Sequence, residues 1–334
     1  MDGSCVELAG GTSLKFVKML ALFIGVNLMV GIFFGPLMIF YGPIPSLRQM
    51  ALGSLMVSRH DFIAQWFLSP EKIQEILGQP LEDLRSNPNM GVQLAFANGK
   101  GSDRIDVEDI QGKRFTGKVM IIHDPKRVKV ALSSKMGEAG ETVPEIATHE
   151  GAVAAINGGG FIDPNGQGNG AYPDGVTVSK GQFISVIQED QKENIVGLTK
   201  KGILIVGRYS ARELRNMDVS DVVTFGPALV INSKPTITQG DGGYGIAPRT
   251  AIGQKADGSI IFMTIDGRQV GSIGATLREV QDLMIQYGAV TAGNLDGGAS
   301  TTMVYNGKVI NQPSSVFGIR YIPTAFVVMP SKRI

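Results

Sequence analysis

Asp296 stands where an acid can do chemistry. It ends the small and apolar run Ala289 to Leu295 and is followed at once by Gly297, Gly298 and the hydroxyl residues Ser300, Thr301 and Thr302. A run of that composition reads as a strand covered on both faces, so its last polar residue emerges from the end of a sheet. Glycine lets the backbone turn sharply there and leaves room for a ligand to come close. A carboxylate in such a place can take a proton from water or attack an electrophilic carbon. The competing reading is a glycine-rich turn in which Asp296 merely forms the turn.

The pattern recurs. Ala152 to Ile156 ends in Asn157-Gly158-Gly159-Gly160-Phe161, and Ile260 to Ile265 ends in Asp266-Gly267-Arg268. Hairpin turns in this chain look different, because Asp257-Gly258 and Asn306-Gly307 each stand between two strand-like runs, as a type I′ hairpin requires. After Asp266-Gly267 no strand returns; RQVGSIGA leads directly to a helix pattern. Three loops that carry a polar residue and glycine are therefore expected to build one site.

The segments AAINGGGF, PRTAIG, TIDGR and GATLREVQDLMIQYGAVTAGNLDGGASTTMV, with the late Arg320, resemble the phosphodiester glycosidase family over roughly Gly91 to Met329. The resemblance implies hydrolysis of the sugar C1–O bond in a sugar-1-phosphodiester, the expected substrate being a cell-surface glycan or glycopolymer such as an exopolysaccharide. No cofactor is expected. Cleavage at C1 passes through an oxocarbenium-like state that enzymes usually handle with two carboxylates, and Asp266 and Asp296 are the expected catalytic pair. Because phosphate is a good leaving group, the indispensable acid is the one that activates water or attacks C1. Which aspartate does so, and whether configuration is retained, stays open at this level. The phosphate needs guanidinium partners able to grip two oxygens at once. Arg249, after the glycine-rich loop Gly240 to Gly245, is the first choice, followed by Arg320 and Arg268. Asn157, Asn294, Ser300 and Thr301 are expected to bind sugar hydroxyls or orient the acids. Asp174 and Asp241 sit in the turn contexts YPDG and GDGG, which account for them without function.

Two rival readings accompany this one. An all-oxygen calcium or magnesium site built from Asp266, Asp296 and Asn157 would make the protein a phosphodiesterase that breaks P–O. Zinc is disfavoured because His60, His123 and His149 are isolated in the sequence. A noncatalytic glycan-binding module would reuse the same polar groups, but it ordinarily presents aromatic platforms. Aromatic content here is 7%, and the one tryptophan, Trp66, precedes the domain.

The elements that must position these residues follow from composition. The 44 glycines in 334 residues suit a loop-rich β-containing fold. Net charge is +1 with no basic block, which argues against nucleic acid as a partner. The one cysteine, Cys5, allows no disulfide within the chain. No charged residue lies between Lys18 and Arg48, and Met19 to Phe40 is apolar and long enough to cross a hydrocarbon core of about 30 Å. We read residues 1–18 as a short cytoplasmic end, 19–40 as a single membrane span, 41–90 as a helical stalk and 91–334 as the glycosidase domain. A cleaved signal peptide is the alternative for the apolar segment. Lys15 and Lys18 before the span, against Arg48 and Arg59 well after it, favour an inside N-terminus and a catalytic domain outside the cytoplasm. Oligomeric state is not legible.

Within the domain the expectation is α/β of the α+β kind, a mixed β-sheet core with flanking helices. Lys118 to Ile122, Arg127 to Leu132, Val176 to Ser179, Gln182 to Val186, Ile195 to Thr199 and Ile203 to Val206 read as strands. Ala211 to Met217 and Leu277 to Tyr287 read as helices, the second opened by Thr276 and Glu279 at capping-box spacing, which makes Glu279 structural.

Overall fold

The computed structural model describes residues 10–56, 61–77, 85, 102–162, 168–315 and 318–331. Cys5, Arg59, His60 and the domain start expected at Gly91 lie outside the described residues. The chain forms two compact units, Met1–Ile76 and Leu77–Ile334.

The first unit is helical. Gly10–Tyr41 is one helix with Pro36 inside it, and its stretch Phe16–Tyr41, 26 residues of mean hydropathy 2.2, is long and apolar enough to span a bilayer. Pro45–Met56, Asp61–Gln65 and Pro70–Leu77 follow. The last begins as the Ser-Pro-Glu signal predicts, with Ser69 Oγ accepting from the Lys72 amide at 3.3 Å.

The second unit wraps three main sheets around one core. The first sheet runs in the order Ile105–Gln111, Thr116–Ile122, Ile260–Ile265, Arg249–Lys255, Ala289–Leu295, Ala228–Ile231, Lys234–Pro235. The second has Leu204–Tyr209, Glu193–Thr199, Val219–Thr224, Thr177–Ser179 and Gln182–Ser185; the third has Lys308–Val309, Met303–Tyr305, Ala154–Asn157, Thr324–Val328 and Val128–Leu132. Neighbouring strands pair antiparallel throughout these ladders. The inner faces meet in one apolar cluster. Phe262, Ile252 and Leu295 come from the first sheet, Val196, Leu198 and Val206 from the second, and Ile156, Phe326 and Val130 from the third.

Each outer face carries one helix. Leu277–Gln286 covers the first sheet, Ala211–Arg215 the second and Val143–His149 the third, each with its own apolar cluster. All three open with a Ser/Thr-x-x-Glu capping box, through Thr276 and Glu279, Ser210 and Glu213, and Thr142 and Glu145. The α+β reading, a sheet core with flanking helices, therefore holds. Glu279 is structural as expected, and it also pairs with Arg114 at 2.8 Å. Sequence reasoning passes over Val143–His149, whose seven residues give too few apolar repeats to display a helical period. It also does not reveal that Thr116–Ile122 and Val128–Leu132, parted by one short turn, enter different sheets.

The glycines after Asn157 answer to packing. A Cβ on Gly158 would lie 2.5 Å from Thr324 Oγ1, and one on Gly159 would lie 2.8 Å from the Thr224 carbonyl oxygen. The loop is thus pressed between the second and third sheets. Gly159→Ala should lower the stability of the protein by about 1–3 kcal/mol, read as a fall in the urea midpoint; an unchanged midpoint would mean that the loop is free to move.

Candidate active site

The ends of Ala154–Asn157 and Ala289–Leu295 are tied together at Asp296. The Asp296 amide donates to Gly158 O at 3.2 Å, and Asn157 Nδ2 donates to Asp296 O at 2.5 Å. Asn157 Oδ1 accepts from Thr250 Oγ1 at 2.8 Å and from the Thr302 amide at 3.2 Å. Asn157 is completely buried. Its amide therefore orients the acid loop and is not placed to meet a sugar hydroxyl. Thr250, which holds Asn157, is not apparent from sequence because its strand position looks like an ordinary half of a β-pair.

Asp296 itself is half-buried, with its carboxyl deep among protein atoms. Burial pushes its pKa up to about 6, against the opposing pull of hydrogen bonds from the Ser300 side chain and the Gly297 backbone and of the Arg320 charge. A carboxyl so poised can hold or release a proton near neutrality. Ser300 is thus an orienter of the acid.

Two arginines approach this loop. Arg268 lies over Gly298, where a Cβ would stand 3.3 Å from Arg268 Nη2, and Arg268 is exposed. Its own backbone is in the left-handed region, at φ 59. Among the described residues the other non-glycine positions of this kind, Lys180, Asn232, Ser233 and Asn306, sit in two-residue turns between paired strands; Arg268 does not. Strain of this sort concentrates where a side chain must be presented. Arg320 is half-buried, its guanidinium 5.0 Å from the centre of the Phe161 ring.

Arg249, the first choice from sequence, has a different task. It is buried, its Nε donates to Ala275 O at 3.1 Å, and its Nη2 donates to Tyr244 O at 2.8 Å and Gly245 O at 2.7 Å. Burial lowers its pKa to about 10, so it stays charged at neutral pH. It braces the glycine-rich loop from behind.

Asp266 and Asp296 each follow the last residue of a strand, Ile265 and Leu295, which pair with Arg249 and Thr250 of the strand between them. Asp266 Oδ1 accepts from Asn311 Nδ2 at 3.0 Å and from the Gln312 amide at 2.9 Å. Asn311 in turn donates to Thr301 O at 3.2 Å and accepts from the Met303 amide at 2.7 Å. Burial raises the Asp266 pKa while those two donors lower it. The residue borders a separate cavity of about 290 Å³, beside Thr116, Gln312 and the ion-paired Lys118 and Asp109. Through Asn311 and Gln312 its Oδ1 ties down the segment that follows Ser300. Asn311, missed by sequence reasoning, left one signal, a polar residue directly after the hairpin strand Lys308–Val309 and Ile310.

The remaining expected site residues face inward. Asn294 is buried with Nδ2 donating to Gly226 O at 2.8 Å, and Thr301 is buried with no partner for its Oγ1. Asp241 closes its own turn by accepting from the Gly243 amide at 2.8 Å, and Asp174 backs onto Gly160. Asn157 Oδ1 and Asp266 Oδ1 are each engaged by two protein donors. No group of three or more His, Cys, Asp and Glu side chains is gathered among the described residues. His149 pairs with Glu141 at 3.2 Å and His123 with Asp106 at 2.8 Å.

The chain is similar to proteins of known sequence and structure. A family model described as phosphodiester glycosidase matches residues 150–329. The chain is 30% identical over 201 residues to the SPbeta prophage-derived uncharacterized protein YomE of Bacillus subtilis, covering 57% of this chain and 30% of that one. It is 30% identical over 190 residues to the N-acetylglucosamine-1-phosphodiester alpha-N-acetylglucosaminidase of Bos taurus, covering 52% of this chain and 35% of the relative. The chain thus spans about a third of the length of these relatives. Among solved structures, the catalytic domain of the zebrafish N-acetylglucosamine-1-phosphodiester alpha-N-acetylglucosaminidase superposes with a TM-score of 0.56 at 23% identity, covering 68% of this chain and 83% of that one. A Burkholderia pseudomallei exported protein superposes with 0.51 at 19%, covering 65% and 74%. At these identities the superpositions show a common fold.

Proposed function

The chain belongs to the phosphodiester glycosidase family, and from that premise we propose that it hydrolyses the C1–O bond of a sugar-1-phosphodiester. The sugar suggested by the named relatives is N-acetylglucosamine. The observation that carries the reading is the Asp296 carboxyl at the end of a buried strand, held by Ser300 and Gly297, with the guanidinium groups of Arg268 and Arg320 at its loop and its pKa raised by burial. Asp296, ionised, takes a proton from water as the water oxygen bonds to C1. The C1–O bond breaks, and its electron pair leaves with the phosphate. Two guanidinium groups stabilise that departing charge, so little protonation of the leaving oxygen is needed. The products are free sugar and a phosphate monoester. Incubation with a phosphodiester of N-acetylglucosamine should release free N-acetylglucosamine; release of the sugar phosphate would show P–O cleavage and reject the assignment.

The reading extends to the cell surface. The helix Phe16–Tyr41 serves as the anchor, residues 41–90 as a stalk, and the domain that follows acts on glycans outside the cytoplasm. Support comes from the length and hydropathy of the helix and from lysines on its N-terminal flank. Protease added to intact cells or protoplasts should digest the domain. Protection until lysis would reverse the orientation.

A further inference from the structure

Three of the nine well-exposed large apolar residues described in the second unit, Val270, Ile273 and Tyr321, lie in the loop of Arg268 or directly after Arg320. Val270 is fully exposed, two positions after Arg268, and Ile273 closes the same loop, its carbonyl accepting from the Arg268 amide at 3.3 Å. Tyr321 adjoins Arg320. Ile162 and Tyr172 pair in a two-stranded ribbon on the face away from Phe161, over which Arg320 lies, and do not belong to this group. Apolar surface left in water is unfavourable in proportion to its area, and grouping it beside a functional site marks a binding surface. Here it is grouped beside cations. A guanidinium flanked by valine, isoleucine and tyrosine complements a molecule whose phosphate is joined directly to an apolar chain. A polar glycan on the leaving side would meet Val270 and Ile273, which offer it no side-chain hydrogen bond.

Resting on the glycosidase reading above, we infer that the leaving group is a lipid phosphate: the substrate is a sugar-1-phosphate esterified to a long-chain alcohol. The same chain carries a helix able to sit in the bilayer where such a substrate resides. Water attacks C1, the C1–O bond breaks, and the lipid phosphate departs with the electron pair and stays in the membrane.

The test compares the methyl and octyl phosphodiesters of N-acetylglucosamine with the full-length protein in lipid nanodiscs. The octyl ester should be cut with at least about tenfold higher kcat/KM, since two buried methylenes suffice for that factor. The double variant Val270→Ser, Ile273→Ser should lose this preference yet cut the methyl ester within about twofold of the wild-type rate. Equal kcat/KM for both esters, a preference that survives in the double variant, or faster cleavage of a sugar-linked phosphodiester than of the octyl ester would overturn the lipid assignment and leave the glycosidase reading standing. Failure to cut either ester at C1 would remove both.

Discussion

Asp296→Asn should fold normally and hydrolyse the phosphodiester at a rate lower by roughly 10² or more, the scale on which a catalytic acid or base is lost. Asparagine keeps the shape of the side chain and can still accept a hydrogen bond from Ser300, but it cannot take the proton from water. Stability should not fall. Burial holds the Asp296 pKa at about 6, above the ordinary range of an aspartate, so the ionised form is disfavoured in the folded state. The folded state is therefore penalised as pH rises from the lower value through the higher one, and removing the charge relieves that penalty near neutrality. The wild-type rate should climb with pH along an acid limb centred near 6, in keeping with the pKa of about 6. Arg320→Ala, by removing a charge that lowers that pKa, should move the limb upward. If Asp296→Asn retains a near-normal rate with the same limb, another group activates the water.

The second large effect belongs to Arg268. Loss of a charged hydrogen-bond partner to phosphate should reduce turnover of phosphodiesters by roughly tenfold to a hundredfold. Arg268→Lys keeps the charge without the planar fork, so activity should fall in the order wild type, Lys, Ala. A neutral aryl glycoside of the same sugar has no phosphate and should be cut almost as well by the variants. Arg249→Lys gives the contrasting outcome. The carbonyls of Tyr244, Gly245 and Ala275 lose their donor geometry, the glycine-rich loop loosens, and activity on both substrates should drop together. Equal losses on both substrates for Arg268 would assign it to the scaffold instead.

Local features of this chain are legible in its residues. Asn306-Gly307 and Asp257-Gly258 announce their hairpins because the turn itself demands those residue types. Thr276 and Glu279 announce a helix start because both partners lie within one turn. The loop at Asp296 is visible because a buried strand cannot carry an unpaired acid in its middle. What the residues do not disclose depends on distant partners. Asp266 and Asp296 carry the same local signature, an acid before glycine at a strand end. Only their distant partners tell them apart, Asn311 and Gln312 for Asp266 and Arg320 for Asp296. Arg249 looks free until Ala275, 26 positions away, supplies its carbonyl. Arg268, ranked below it, has no local pattern beyond following Asp-Gly, and its strained backbone exists only in three dimensions.

Thr324–Val328 lies inside the third sheet, between Ala154–Asn157 and Val128–Leu132, with Ala325 opposite both Asn157 and Ala131. Its neighbours on either side are made long before it. Until it arrives, the strand that ends in Asn157 has an open flank, and the amide that steadies Asp296 has no fixed support. The enzyme is accordingly silent while it is being made. A nascent chain must be made through this strand before the domain can close, and such distant strand pairing is slow. Hydrolysis would therefore begin only after this last strand had taken its place between its two neighbours.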